Sequence, residues 1–589
     1  MSINSAAYIA VSGMMATQVQ LTVASANISN ADTAGYTEKT ANQTSVFTAG
    51  AGAGTTITGI SGNVDAFLLK SLIGSISILG SADTANNYLD QLQSLYGDTG
   101  SGGSAGTSLG NTLASLESAV STLAGTPDSA SLKENVVGSL EAVTSQLNQT
   151  SGGIQQLRGN ADQGIAKSIS DINQQLQLIG NLNIQIQQAT AAGQPTGDLE
   201  DQRNTALEAV ASKIDVSYFT AANGGLQVYT ASGQSLVDSG VHQLSYTAAA
   251  SVTASTTYSA TPPSGFAGIM LNGMDITSQI GSGSLGALVD LRDTVLPGAQ
   301  SQLDALASQL ATTLNAVHND GTSMPPPSTL TGTVEVDATT ALPATGTAEF
   351  AVTDQQGNLV SSQVLDLSSY STVGDLVAAI NGISGLSASI DANGHVVIAS
   401  TDSGDGVAIN EMSSAVGAAN QGLSDWLGLN DLVTGTGASD IAVRADILNN
   451  PGLLATSTLD ASASAAGAQV LSAGSGTVTN DLYSALIGAT SFPAVAGIGS
   501  TTASFADYAA AIVSSVATQA SQASADYTNK QAVQSSLSST MSSEAGVNLD
   551  QETARLSALQ NQYSASAELL QVINQMFTSL IAAMQTAAA

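Results

Sequence analysis

The chain contains no cysteine, which excludes disulfides, thiolate metal sites and cysteine nucleophiles. Bases are nearly as scarce: 11 Lys+Arg against 45 Asp+Glu give a formal charge of -34 over 589 residues. Binding to a nucleic-acid duplex needs Lys and Arg to displace phosphate counterions, so no nucleic acid is expected as a partner. An anionic membrane surface is excluded on the same ground. Histidine occurs three times, at His242, His318 and His395, too few and too scattered for a His-rich metal site. No run of 18 apolar residues is present, which predicts no membrane span. The first base is Lys39, so no cleaved secretory signal with a positive leading segment is expected.

Apolar residues make up 43% of the chain, ample for folded cores. Charged residues are only 10%, against roughly 25% in ordinary domains, so the polar surface is mostly Ser, Thr, Gln and Asn. The length leaves room for about three or four domains.

Hydrophobic spacing divides the chain into helical ends and a β-rich middle. Ala7, Met14, Leu21 and Ile28 recur every seven residues, and Ile3, Ala10, Thr17 and Ala24 fill the alternate positions. This spacing predicts a helix with a narrow seam of mostly small residues. It should stop near Asn30, where Asn27, Asn30, Asp32, Gly35 and Tyr36 carry turn chemistry. Near the other end, Leu549, Leu556, Tyr563, Leu570, Phe577 and Met584 hold one heptad position without a gap. Leu559, Ile573 and Leu580 hold a second, with Glu552 and Ser566 as polar breaks. Ile165, Ile172, Ile179 and Ile186 form a third run. Thr126-Pro127-Asp128-Ser129 starts another helix, Leu285–Val317 reads as a helix broken or kinked at Pro297, and Phe505–Leu537 reads as helix.

The middle alternates apolar and polar residues around turn signals. Hairpins are predicted about Asn223-Gly224-Gly225, Asp354-Gln355-Gln356-Gly357 and Asp391-Ala392-Asn393-Gly394, with a short helix over Thr372–Ile380. The fold class read from this is α+β: a long helical coiled-coil stem formed from both chain termini, with inserted mainly-β modules. The expected division is a first helix and extended segment over 1–60, helical stem over 61–213, a β module over 214–283 and stem return over 284–324. An inserted β-rich module then covers 328–437, a return segment and stem 438–545, and an assembly helix 546–589.

No catalytic constellation emerges. A His with a flanking Ser would be expected by chance in so Ser-rich a chain, and exposed or capping roles are expected for all three. Gly50-Ala51-Gly52-Ala53-Gly54 lacks the Gly-Lys-Ser/Thr ending of a phosphate loop and reads as a flexible turn. Thr401–Glu411 lacks EF-hand spacing and reads as a solvated loop. Trp426, the only tryptophan, reads as a buried anchor, and Glu200-Asp201 beside Arg203 as a surface ion pair. No enzymatic activity, cofactor or metal is therefore expected. The terminal seams have two readings, intramolecular core or burial between chains, and spacing alone does not separate them.

Motifs at five places resemble one family. Ala24-Ser25-Ala26-Asn27-Ile28-Ser29-Asn30-Ala31-Asp32-Thr33-Ala34-Gly35-Tyr36-Thr37 is similar to the A-S-N-N-I-S-N-x-N-T-x-G-Y-T signature of bacterial flagellar rod, hook and hook-associated proteins. Gly546–Glu552 and Gln562–Ala567 resemble the matching C-terminal helix. Asp198-Leu199-Glu200-Asp201-Gln202-Arg203-Asn204 resembles D-L-x-D-Q-R-D of the hook-associated branch. Gly283-Ser284-Leu285-Gly286-Ala287-Leu288-Val289-Asp290-Leu291-Arg292-Asp293, running on to Leu314–His318, resembles G-S-L-G-x-L-x-D-x-R-D…F-N-x-x-H of the same branch. Thr372–Ala399 resembles a small flagellin/hook insert with its Ile380-Asn381 pair. The chain departs from the family pattern at Ala26, Ala34 and Glu38-Lys39, where the family carries Asn, Pro and an early Arg.

The resemblance implies a structural component of the flagellar axis at the hook–filament junction, extracellular and exported by the flagellar type III route without a cleaved signal. Its implied partners are like subunits in a ring, the hook protein, a second hook-associated protein on the filament side, and an export chaperone at the C-terminal helix. Ala7, Met14, Leu21 and Ile28, with Leu549, Leu556, Leu559, Tyr563, Leu570, Ile573, Phe577 and Leu580, become candidate assembly seams. Asp201, Gln202, Arg203, Leu285, Gly286, Asp290, Arg292 and Asp293 are the internal motif residues. The bulk hook protein is the alternative within the family, and a secreted adhesin or hydrolase carried on a flagellar scaffold is the remote one.

Overall fold

The structure, a computed structural model, describes residues 3–48, 51–97, 107–261 and 263–588. It is a mixed α+β fold. Its helices, in chain order, are α1 (Ile3–Ser29), α2 (Ala66–Leu95), α3 (Leu109–Gly125), α4 (Ala130–Ala191), α5 (Gly197–Ala211), α6 (Gly283–Asp290), α7 (Leu296–Asn319), α8 (Val373–Ile380), α9 (Leu423–Leu427), α10 (Ala445–Asn449), α11 (Thr477–Ile487), α12 (Phe505–Ala545) and α13 (Leu549–Ala588). The start of α4 falls where the Thr-Pro-Asp-Ser signal places it, but the helix then runs 62 residues without interruption. The Ile165–Ile186 heptad run and the helix predicted from Thr126–Ser129, read separately in the sequence, belong to this one helix. It passes through Gly152-Gly153 because a Cβ at Gly153 would lie 2.7 Å from the Leu95 side chain, so the glycine admits α2.

Helix α1 packs on α13, α2 along α12, and α4 against α3, α5, α6 and α7. One large core joins α3, the first part of α4, α7, α11 and α12; Leu123, Val143, Leu303 and Phe505 are among its fully buried members. A second joins the middle of α4 to α5, α6 and the strands of residues 216–275. A third fills the insert between Leu330 and Leu429.

The strands form small sheets set between the helices. Val216–Thr220, Leu226–Thr230 and Ser235–Val237 make an antiparallel sheet about the Asn-Gly-Gly turn. In the insert, Leu359–Asp366 pairs with Thr347–Asp354, which pairs with Asp405–Asn410. Leu386–Ile390 pairs with Val396–Ser400, and that with Thr329–Thr331. Thr372 caps α8 in a capping box with Asp375, as the local sequence predicts.

Several expectations are corrected. Ala51–Gly62 is a strand paired with Lys39–Thr48, not a turn; Gly50 lies outside the described residues. Asp405–Asn410 is likewise a strand, and the Glu411 carboxylate accepts the Leu423 and Ser424 N–H groups at 2.7 Å each, capping α9 rather than facing water. At Pro297 the helix does not break. A π turn over Leu291–Val295 separates α6 from α7, and the proline occupies the first turn of α7, where its missing N–H is tolerated. His318 is fully buried. Its Nδ1–H donates to the Asn430 carbonyl at 2.5 Å and its Nε2 accepts the Ala455 N–H at 2.9 Å; burial lowers its pKa to about 4. Trp426 packs on the insert core while only partly buried. Helix α2 is long and apolar enough, by length and composition, to cross a membrane, although no apolar run in the sequence reaches 18 residues. It packs along α12, α5 and α6.

Candidate assembly joint

The first candidate site grows from the end of α1. Asn27 is completely buried. Its Nδ2 donates to the Lys39 carbonyl at 2.9 Å, and its Oδ1 accepts the Lys39 N–H at 3.0 Å and the Tyr36 hydroxyl at 2.9 Å. One side chain thus ties the last turn of the helix to the first residue of the hairpin. Asn30 donates back to the Ala26 carbonyl and closes the helix end. Gly35 sits at φ +78°, and a Cβ there would stand 2.5 Å from Thr205 Oγ1, so both backbone conformation and space favour glycine.

The turn is then locked from a distance. Asp201 on α5 accepts the Thr37 N–H at 2.9 Å, the Thr37 hydroxyl at 2.8 Å and the Lys39 ammonium. All three residues are buried. The Lys39 ammonium also lies 4.7 Å from the Tyr36 ring centre, an ordinary cation–π separation. Burial, with the nearby carboxylates of Asp198, Asp201 and Glu552, pushes the Tyr36 hydroxyl up to about 12, so it stays a donor to Asn27 at any physiological pH. The surface ion pair expected between Asp201 and Arg203 is not formed. Arg203 is buried separately and donates to Asn183 Oδ1 at 3.1 Å and to the Gly224 carbonyl at 2.8 Å, holding the hairpin turn onto α4. Gln202, between them, is exposed.

The joint between α12 and α13 meets the same turn. The Glu38 N–H donates to the Ala545 carbonyl at 2.7 Å. Arg555 reaches Glu552 at 3.4 Å and Glu38 at 3.8 Å. Burial and the neighbouring Glu552 raise the Glu38 pKa, with Arg555 opposing. Two carboxylates therefore share one guanidinium where α1, the hairpin and α13 converge.

The paired end helices bury only part of their apolar surface. On α1 the fully buried row is Ala10, Thr17, Ala24 and Asn27, while Ala7, Met14, Leu21 and Ile28 are half-buried. On α13 the buried residues are Glu552, Leu559 and Ile573; Leu556, Leu570 and Phe577 are half-buried, and Leu549, Tyr563 and Leu580 are exposed. Leu569, Val572 and Met576 are also exposed and lie at helical spacing on one stripe, a feature outside the two heptad rows. Met14 faces Leu570 and Asn574 across a groove between α1 and α13.

The other internal motif forms a second node. Arg292, in the π turn, is fully buried and donates to both Asp293 oxygens at 2.8 and 2.7 Å, to Asp162 at 3.2 Å and to the Tyr246 hydroxyl at 2.5 Å. Its guanidinium stacks 4.6 Å from the Phe266 ring centre. Leu285 and Gly286, on α6, are buried, and Asp290 is exposed. The node fastens residues 246–266 to α4. The tyrosines and Phe266 were missed in the sequence because no spacing rule connects them to Arg292.

A profile described as the flagellar hook-associated protein FlgK helical domain matches residues 89–329, one for flagella basal body rod proteins matches 8–37, and the flagellin hook IN motif matches 349–402. The chain is 25% identical to flagellar hook-associated protein 1 of Escherichia coli over 97% of its own length and 98% of that protein. It is 27% identical to the Salmonella typhimurium protein of the same name over 53% of this chain, an alignment spanning 56% of that relative. A solved structure titled as the flagellar hook junction protein FlgK from Burkholderia pseudomallei superposes on 80% of this chain and 99% of its own, with 17% identity and a TM-score of 0.49. The matching profiles and curated relatives together support a FlgK-type hook-associated protein of the bacterial flagellum.

Proposed function

We propose that the chain is a structural junction adaptor that joins hook to filament and is required for filament assembly. The observation that carries this reading is the incompletely covered pair α1–α13. Half-buried or exposed Met14, Leu570, Phe577, Leu580 and Met576 line a helix pair already locked at its base by Asn27, Lys39 and Asp201. Burying each large apolar side chain contributes about 1.5–3 kcal/mol, so neighbouring copies in a ring are natural occupants of these faces. The two end helices then act as a coiled-coil stem, with the modules over 214–283 and 328–437 facing outward.

The hook protein below and a second hook-associated protein above are the proposed axial neighbours. An export chaperone covers the α13 face before type III export, and the assembled chain is extracellular. The names of the curated relatives and the rod-type profile over the first helix support a place among flagellar hook-associated proteins, on which these assignments build.

The test is incorporation. Phe577→Asp and Leu570→Asp should exclude the chain from flagella while the inserted modules stay folded by hydrogen exchange. Cells lacking the chain should build hooks and release flagellin monomers. Filaments on hooks without it would overturn the reading.

A further inference from the structure

Helix α2 presents two unlike faces. Leu69, Leu72 and Ile76 line one side of a cavity of about 360 Å³ closed by the turn Ala31–Thr37, by Thr205 and Glu208 of α5, and by Met541 and Val547 at the α12–α13 joint. The opposite face carries Phe67, Lys70 and Ile78. At about 100° per residue these three stand roughly opposite Leu69, Leu72 and Ile76 around the helix. Phe67 is 85% exposed, the most exposed large apolar side chain among the described residues. Lys70 lies one turn on, is exposed, and has no ion pair among the described residues. In a chain with 11 bases and 45 acids, an unpaired lysine beside a protruding phenylalanine is an unusual surface.

The cavity has the complementary character. Its lining is mixed: Leu69, Leu72, Ile76, Met541 and Val547 give it an apolar side, Asp32 and Glu208 supply carboxylates, and burial raises the Glu208 pKa. A space of about 150 Å³ accommodates a benzene-sized ring, so the volume admits a phenylalanine side chain. Knob and cavity lie on different faces of helix α2. Such a pair needs no two-fold axis. It joins copies head to tail, the arrangement that closes into rings or continues as a helix.

We propose that Phe67 of one copy inserts into the cavity at the α2–α5–α12 junction of the next copy, with Lys70 meeting Asp32 and Glu208. This inference rests on the ring reading above and assigns its lateral contact. The occupant is a second copy of this chain because both halves of the contact, apolar and charged, are present on it.

The absence of cysteine makes the test direct. A full-length chain carrying Phe67→Cys and Met541→Cys, expressed in place of the native one, should give disulfide-linked dimers and higher ladders in isolated flagella after mild oxidation. Neither single substitution should do so. Phe67→Ser should leave the fold of the purified protein unchanged, since the ring touches little, and weaken incorporation about tenfold to a hundredfold. Cross-linking by Phe67→Cys alone would indicate a symmetric contact and overturn the proposal, as would a cross-link whose mass is not a multiple of this chain. Flagella containing the doubly substituted chain without ladders would overturn it too. If the doubly substituted chain is not incorporated, undiminished incorporation of Phe67→Ser is the refuting result. Flagella lacking even the native chain would refute the junction reading itself, a distinguishable outcome.

Discussion

The Lys39–Asp201 contact is the sharpest single test of how the joint is held. Asp201→Asn removes the charge facing a buried ammonium and replaces one acceptor oxygen with a donor. Three donors now converge on that carboxylate: the Thr37 N–H at 2.9 Å, the Thr37 hydroxyl at 2.8 Å, and Lys39. Breaking one side of a buried pair costs about 3–5 kcal/mol, because the remaining charge stays out of water unpaired. Lys39→Met should cost less, since Asp201 keeps both Thr37 donors. The combination of Asp201→Leu with Lys39→Met leaves no buried ion and should cost less than Asp201→Leu and Lys39→Met summed, with a coupling of about 0.5–3 kcal/mol. Hydrogen exchange over residues 30–39 reads local opening of the turn, and denaturant unfolding reads the whole. Additive costs in the double variant, or a cost under about 1 kcal/mol for Asp201→Asn, would refute the lock.

Other consequences follow from the same structure. His318 has its pKa lowered to about 4 from an ordinary 6.5, so it stabilises the fold fully above pH 6.5 and loses that contribution as pH falls towards 4. At pH 5 the loss relative to pH 8 is about 2 kcal/mol, and His318→Gln should flatten the stability–pH profile by that amount; parallel profiles would contradict it. The raised Glu38 pKa has the opposite sign, so the α12–α13 joint should weaken as pH rises through the carboxylate range, and Glu38→Gln should abolish that trend in exchange of residues 545–552. Gly35→Ala should destabilise the turn by about 1–2 kcal/mol from the left-handed backbone alone, more with the Thr205 contact, measured by the same exchange experiment. Arg292→Lys loses the two-pronged contact with Asp293 and should cost about 3–5 kcal/mol, with early exchange over residues 246–266.

Local chemistry was legible in the sequence. The capping box at Thr372, the Asn-Gly-Gly hairpin and the heptads of α13 each depend on neighbours within a turn or two. Burial between distant segments was not. Periodicity shows that α1 carries two rows at heptad spacing but not which one is buried, and the buried one is Ala10, Thr17 and Ala24. Asp201 and Lys39 are 162 residues apart, so two motifs identified separately turn out to be halves of one contact. Pro297 signals a helix break that the π turn absorbs, because helix packing on both sides holds the axis.

The central claim is that the uncovered stripe of α13 is buried between subunits in the flagellum. A chain with Met576→Cys carries the only thiol in the molecule, at a side chain 51% exposed in the single subunit. Maleimide should label it rapidly in the purified protein and at least tenfold more slowly in intact flagella that contain it. Equal labelling in both would contradict the account.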